Sequence, residues 1–123
     1  MLWMAIASCG ALGAVARYLV SSLAYQWLGR GFPWGTLVVN GSGSLLIGFL
    51  VGYWSYRHSL PEPWRTALIT GGLGAFTTFS TFSLEAVQLI QQQMLLKALA
   101  YMLVSLVLCA SLTALGLWLG YRS

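Results

Sequence analysis

Residues 70–83 read Thr70-Gly71-Gly72-Leu73-Gly74-Ala75-Phe76-Thr77-Thr78-Phe79-Ser80-Thr81-Phe82-Ser83. Three glycines fall within four residues, and a run of hydroxyl side chains follows them. Each glycine costs up to ~1 kcal/mol in a helix interior relative to alanine. The stretch therefore predicts a break, near residues 72–78, in an otherwise apolar span covering about residues 66–90. A helix broken in mid-membrane frees carbonyls on one half and N–H groups on the other. It survives only where protein or a water-lined cavity satisfies them, and such breaks commonly form ion sites. The same glycines would also serve an intact helix as a packing face; the hydroxyls behind them favour the break.

The rest of the chain fixes the solvent. Of 123 residues, 59% are hydrophobic and only 7% charged, whereas a soluble domain carries about a quarter charged residues. That balance excludes a water-soluble enzyme. A bilayer crossing takes about 20 apolar residues, so four crossings with short loops consume nearly the whole chain. The reading is all-α: one transmembrane domain over residues 1–123, with helices at about 2–28, 34–54, 66–90 and 96–120. Gly29-Arg30-Gly31-Phe32-Pro33 forms the first turn, Arg57 to Arg65 the most polar loop, and Gln91-Gln92-Gln93 marks another interface. Trp3, Trp27, Trp34, Trp54, Trp64 and Trp118 all fall near span ends, where an indole prefers the headgroup layer. Met1-Leu2-Trp3-Met4 lacks a basic n-region, so the first span is expected to be a retained helix rather than a signal peptide.

The six basic residues, Arg17, Arg30, Arg57, Arg65, Lys97 and Arg122, are scattered singly and form no patch for nucleic acid. With four spans, Arg57, Arg65 and Arg122 share one side of the membrane, and Arg30 and Lys97 the other. Three against two is a feeble orientation signal. It leaves open a single orientation or two copies inserted in opposite senses. Cys9 and Cys109 lie in apolar stretches with no Cys/His cluster around them, which argues against a disulfide framework or a zinc site.

Polar groups inside the spans are the candidates for function. Phe76, Phe79 and Phe82 recur every three residues and are expected to share one face of the half-helix after the break. Ring edges carry partial positive charge, so such a stripe can favour a small anion without holding it tightly. Thr77, Ser80 and Thr81 lie elsewhere on that helix as hydroxyl partners. Asn40 and Ser44 continue into Gly48 and Gly52 on the second span, and Tyr101, Ser105, Cys109 and Thr113 follow the same spacing on the fourth. Hydroxyls alone are often inter-helical glue, but a buried amide such as that of Asn40 is expensive without partners. Arg17 lies mid-span with no mid-membrane acid to neutralise it, since Glu85 is toward a span end and Glu62 in a loop. A buried Arg costs about 2.5–3.5 kcal/mol on insertion scales, so carbonyls freed at the break are its expected partners. Direct action on an anion is the other reading. His58 reads as a solvated loop residue.

These residues together resemble the CrcB/Fluc fluoride channels. Gly71 through Ser83 is similar to that family's signature, and Trp34-Gly35-Thr36-Leu37 with Asn40, Gly13-Ala14 with Arg17, and Tyr101 with Ser105 fall at comparable places across all four spans. The resemblance implies an antiparallel, dual-topology homodimer with two fluoride pores, in a bacterial inner membrane, exporting fluoride passively. It implies a structural sodium ion at the dimer centre, held by backbone carbonyls at positions matching Gly74 and Thr77. The pore phenylalanines match Phe79 and Phe82, the pore asparagine Asn40, and the fourth-span polar track Tyr101, Ser105 and Cys109. Ser80 and Thr81 join the pore lining; Thr36 and Glu85 match positions near the mouths or vestibule. Two residues depart from the pattern: Cys109 stands where a serine often does, and Ala75 replaces a glycine.

The alternative is a small multidrug exporter, also built from four helices, which couples protons to organic cations through an acid in its first span. Here that span holds no acid and one Arg, the wrong sign. A purely structural subunit would not need Asn40, Arg17 and a hydroxyl-rich break together. No nucleophile–base pair or metal-ligand motif is present in the sequence, and no enzyme is expected.

Overall fold

Hydrocarbon offers a backbone no hydrogen-bond partners, so runs this apolar fold as helices that satisfy themselves. The computed structural model of the chain describes residues 1–57 and 60–123; the reading of His58 falls outside them. The first helix, α1, is Leu2–Leu28, and α2 is Trp34–Tyr56. The third passage has two parts. Residues 62–76 form α3, which runs through Glu62–Thr66, a wide π-helical stretch Ala67–Leu73, and Gly74–Phe76; α4 is Phe79–Gln91. The last helix, α5, is Leu95–Arg122. Among the described residues, four helical passages are long and apolar enough to cross a membrane.

Local chemistry sets the ends. α1 stops at Gly29, whose φ of 84° returns its N–H to the Tyr25 carbonyl, a geometry glycine adopts without a Cβ penalty. Pro33 precedes the first turn of α2. The third passage starts earlier than the expected residue 66, because Pro63 sits in its first turn, where a missing N–H does no harm. Glu62, expected in a loop, is therefore helical and accepts a hydrogen bond from Thr66 Oγ1 at 3.0 Å.

Glycines set how the helices pack. The most extensive contact is between α2 and α5, followed by α1 against the π-helical part of α3. Gly48 and Gly52 on α2 face the α5 backbone, while Gly116 and Gly120 face that of α2. A Cβ added at Gly120 would come within 2.6 Å of the Tyr53 amide nitrogen. Small residues four apart allow such close approach between membrane helices. At Gly71 an added Cβ would lie 2.6 Å from the Ile6 carbonyl oxygen. The outward faces of α1 and α5 are lined by exposed Leu, Val, Met and Trp side chains. Trp54 departs from the interfacial expectation: it is buried, with the Arg65 guanidinium 5.7 Å above its ring.

The break is present, at the far edge of its expected range. Leu73 and Gly74 keep helical angles, and the chain opens only at Thr77 (φ −79°, ψ 157°) and Thr78 (φ −150°, ψ 113°). The glycines do not unwind, because their missing side chains seat the π-helical turn against α1. Phe76 consequently precedes the break and is 9% exposed. It does not share the face of Phe79 and Phe82.

Candidate functional site

One side chain holds Thr78, the second of the two extended residues. Asn40 projects from α2 and pairs with the backbone of Thr78 in both directions: its Nδ2 donates to the Thr78 carbonyl at 3.0 Å, and its Oδ1 accepts the Thr78 N–H at 2.7 Å. An amide presents a donor and an acceptor side by side, so it takes the Thr78 N–H that the broken helix has released and adds a bond to the Thr78 carbonyl, the N-cap carbonyl of α4. One Nδ2 hydrogen remains for a ligand. Thr78 then starts α4: its Oγ1 accepts the Thr81 N–H at 3.2 Å and donates to Thr81 Oγ1 at 3.0 Å. A threonine at this position is a favoured helix N-cap.

These two bonds have a further result. In a continuous helix the N–H groups of Thr78 and Thr81 would bond the carbonyls of Gly74 and Thr77. Both are diverted, one to Asn40 and the other to Thr78 Oγ1. The Gly74 and Thr77 carbonyls are thereby left without their helical donors. Thr77 itself closes α3, with its N–H and its Oγ1 both donating to the Leu73 carbonyl.

The break opens on two cavities, and Thr78 lines both. A groove of about 470 Å³ is bordered by Asn40, Ser44, Gly74, Thr77, Phe79, Phe82, Ser105, Cys109 and Thr113. Nine residues singled out in the sequence thus share one wall system: Asn40, Ser44, Gly74, Thr77, Phe79, Phe82, Ser105, Cys109 and Thr113. Phe79 is 77% exposed, and its ring centroid lies 5.5 Å from that of Phe82. Phe82 in turn stacks on Tyr101 at 5.1 Å and 19°. Ser105 is 8% exposed, and its Oγ is buried with no hydrogen-bond partner. Buried hydroxyls are normally satisfied; among the described residues this one has no partner.

The second cavity, about 420 Å³, is lined by Arg17, Ser21, Tyr25, Arg30, Thr36 and Thr81, among others. Arg17 does not take the expected carbonyls at the break: among the described residues no acceptor lies within hydrogen-bond range of its guanidinium. The chain's five other cations are engaged elsewhere. Arg30, Arg57, Arg65 and Arg122 lie over the rings of Tyr25, Tyr53, Trp54 and Trp118. Lys97 donates to the Gly31 carbonyl at 2.7 Å. Arg17 is therefore the unengaged charge beside the N-terminus of α4, whose dipole also favours an anion.

Glu85, one turn beyond Thr81, is held by two donors. Thr36 Oγ1 donates to it at 2.6 Å and the Tyr101 hydroxyl at 3.0 Å. Tyr101 is fully buried, so Thr36, Glu85 and Tyr101 form a fixed cluster behind the rings rather than a free wall. Ser80 is exposed, and its Oγ reaches only Thr78 Oγ1, at 3.4 Å.

The family model described as CrcB-like protein, Camphor Resistance (CrcB), matches residues 4–117. The chain belongs to the CrcB family. Among curated relatives, the fluoride-specific ion channel FluC of Magnetococcus marinus is 50% identical over 118 residues, which cover 96% of this chain and 94% of that one. The FluC of Nitrobacter winogradskyi is 48% identical over 114 residues, covering 93% of this chain and 90% of its own. That of Methylococcus capsulatus is 50% identical over 118 residues, which make up 52% of its longer chain.

In this CrcB chain the residue that sequence reasoning missed is Thr78, the hinge of the site. A signal was available: a threonine directly before an apolar-periodic run is a helix start. Tyr25 and Arg30 in the second cavity carry no such signal, because only the packing of α1 against α2 brings them there.

Proposed function

We propose that this CrcB chain forms a fluoride-selective channel, as the names of its relatives imply for them, and that it works as an antiparallel dual-topology homodimer with two pores. The observation that carries the reading is the groove at the break, lined together by Phe79, Phe82, Ser105 and Asn40, whose amide has one N–H to spare. Fluoride is small, strongly hydrated and a strong hydrogen-bond acceptor. Replacing its water takes donors of this kind, with positive ring edges bridging between them. Arg17 and the α4 N-terminus raise the anion's local concentration at the neighbouring cavity. Conduction further requires that no site bind too firmly, which suits single hydroxyls and ring edges better than a charged ligand. No bond is made or broken.

The groove lies on a face rich in exposed apolar side chains, and a second copy of the chain is the covering that closes it into a pore. Nearly balanced loop charges support insertion in both senses. The resident sodium ion of this reading fits the residues present: the Gly74 and Thr77 carbonyls are hard oxygen donors released from helical bonding, the kind of unwound backbone that coordinates Na⁺ in membrane proteins. Two such oxygens fall short of a full shell, so the partner's copies complete it. The ion supplies a positive charge that ties two broken helices together. In a bacterial inner membrane, hydrogen fluoride entering from acid surroundings ionises inside, and the trapped anion leaves through the pores down its electrochemical gradient.

Fluoride efflux from proteoliposomes loaded with fluoride and chloride, read by ion-selective electrodes with a potassium ionophore present, tests the function. Fluoride loss without chloride loss is expected, and Phe79→Ile should slow it while the dimer stays assembled. No efflux from folded dimers would overturn the reading.

A further inference from the structure

The groove carries a thiol as well as hydroxyls. Cys109 lies one helical turn after Ser105 on α5, is partly exposed, and borders the groove beside Asn40, Phe82 and Thr113. The Ser105 hydroxyl next to it is more than nine-tenths buried and makes no hydrogen bond. The groove of about 470 Å³ itself brings space of solvent size to the wall on which the partly exposed sulfur lies. The chain's other cysteine, Cys9, sits on α1 near Gly72 and does not border the groove. The two thiols are therefore chemically separable.

We propose that Cys109 is a covalent modification site through which small, uncharged thiol-directed electrophiles close the permeation track. The proposal rests on the groove being that track. With methyl methanethiosulfonate, the Cys109 thiol gives its proton to solvent and its sulfur attacks the sulfenyl sulfur of the reagent. A new S–S bond forms, the reagent's own S–S bond breaks, and methanesulfinate leaves. The thiolate is the attacking species, and a reduced dithiol reverses the step by exchange. The product replaces an S–H by a methylthio group, which offers fluoride no donor and fills part of a narrow passage with apolar volume. A serine at this position would be inert to the reagent. The residue at 109 thus decides whether the passage can be shut by thiol chemistry.

The test uses the full chain in proteoliposomes, in a Cys9→Ala background, with fluoride efflux and intact mass read on the same sample. Treatment with methyl methanethiosulfonate should add one adduct at Cys109 and lower efflux about tenfold or more, as expected for obstruction of a narrow filter. Dithiothreitol should remove the adduct and restore the rate. Cys9→Ala/Cys109→Ser, whatever its own untreated rate, should keep that rate after treatment. A complete adduct with undiminished efflux overturns the closure. No adduct on folded protein, while the detergent-unfolded chain reacts, overturns the site. Untreated protein that carries no fluoride overturns the channel reading and the closure with it, and the adduct mass still reports whether the sulfur is reachable.

Discussion

Asn40→Ala tests whether one amide holds the third passage open. The side chain makes two hydrogen bonds to the Thr78 backbone, at 3.0 and 2.7 Å. Its removal orphans the Thr78 N–H, while the Thr78 carbonyl, at the N-cap of α4, keeps its helical bond. A buried group left unsatisfied costs ~1–3 kcal/mol and losing the second bond to the carbonyl about 1 more, so the total is at most about 4. Hydrogen bonds between membrane helices measure lower, averaging ~0.6 kcal/mol, because the unfolded chain in lipid finds substitute partners. The Thr78 N–H sits where neither helix offers an acceptor, and the expected loss is about 2–4 kcal/mol, or roughly 30- to 1,000-fold in the folding constant. The assay is SDS titration in mixed micelles, followed by tryptophan fluorescence. Ser44→Ala is the control: it lies one turn away, borders the same groove and makes no side-chain hydrogen bond among the described residues. Its effect should stay within about 0.5 kcal/mol. A loss for Asn40→Ala no larger than the control's would refute the argument that this amide stabilises the break.

Gly120→Val should destabilise by about 1–3 kcal/mol through overpacking, because even a Cβ would lie 2.6 Å from the Tyr53 nitrogen; a lower unfolding midpoint checks it, and an unchanged one would mean that the helices can part freely. Arg17→Met should slow fluoride flux several-fold without lowering stability, since an unpaired guanidinium in lipid itself costs about 2.5–3.5 kcal/mol; a large stability loss with normal flux would assign Arg17 to structure instead. Exchanging sodium for N-methylglucamine throughout purification should reduce the dimer fraction at low protein concentration, measured by mass photometry. Indifference to the exchange would count against the carbonyl site at Gly74 and Thr77.

The spans were legible because hydropathy alone decides them: α1 begins and ends where expected, and α2 and α5 run only one or two residues longer. The break was legible in kind but not in place. Glycine cost pointed to Gly71, Gly72 and Gly74, whereas an amide on another helix takes the backbone bonds of Thr78. No local rule contains that competitor. A three-residue period similarly grouped Phe76 with Phe79 and Phe82, and periodicity has meaning only within one unbroken helix. The residues of the groove were found by type and spacing, together with family resemblance. Arg17 lies near the middle of α1, but its lack of a partner depends on where the carbonyls of α3 point, which is a tertiary fact. Trp54 shows the same limit, since the ring stacks beneath Arg65 rather than facing headgroups.

The glycine contacts between α2 and α5 carry a consequence for motion. Gly48, Gly52, Gly116 and Gly120 bring two backbones together with no side-chain cushion between them. Helices in that relation cannot slide by fractions of a turn, because close-packed surfaces rearrange between discrete states rather than deform continuously. The plate they form carries Asn40, Ser105 and Cys109, so, with the groove as the proposed passage, the spacing of those groups is constant while an ion moves. Whatever yields as fluoride moves must be lighter and faster than a helix. Phe79, with most of its ring outside the protomer's packing, is the part that can turn on the timescale of a side-chain rotation.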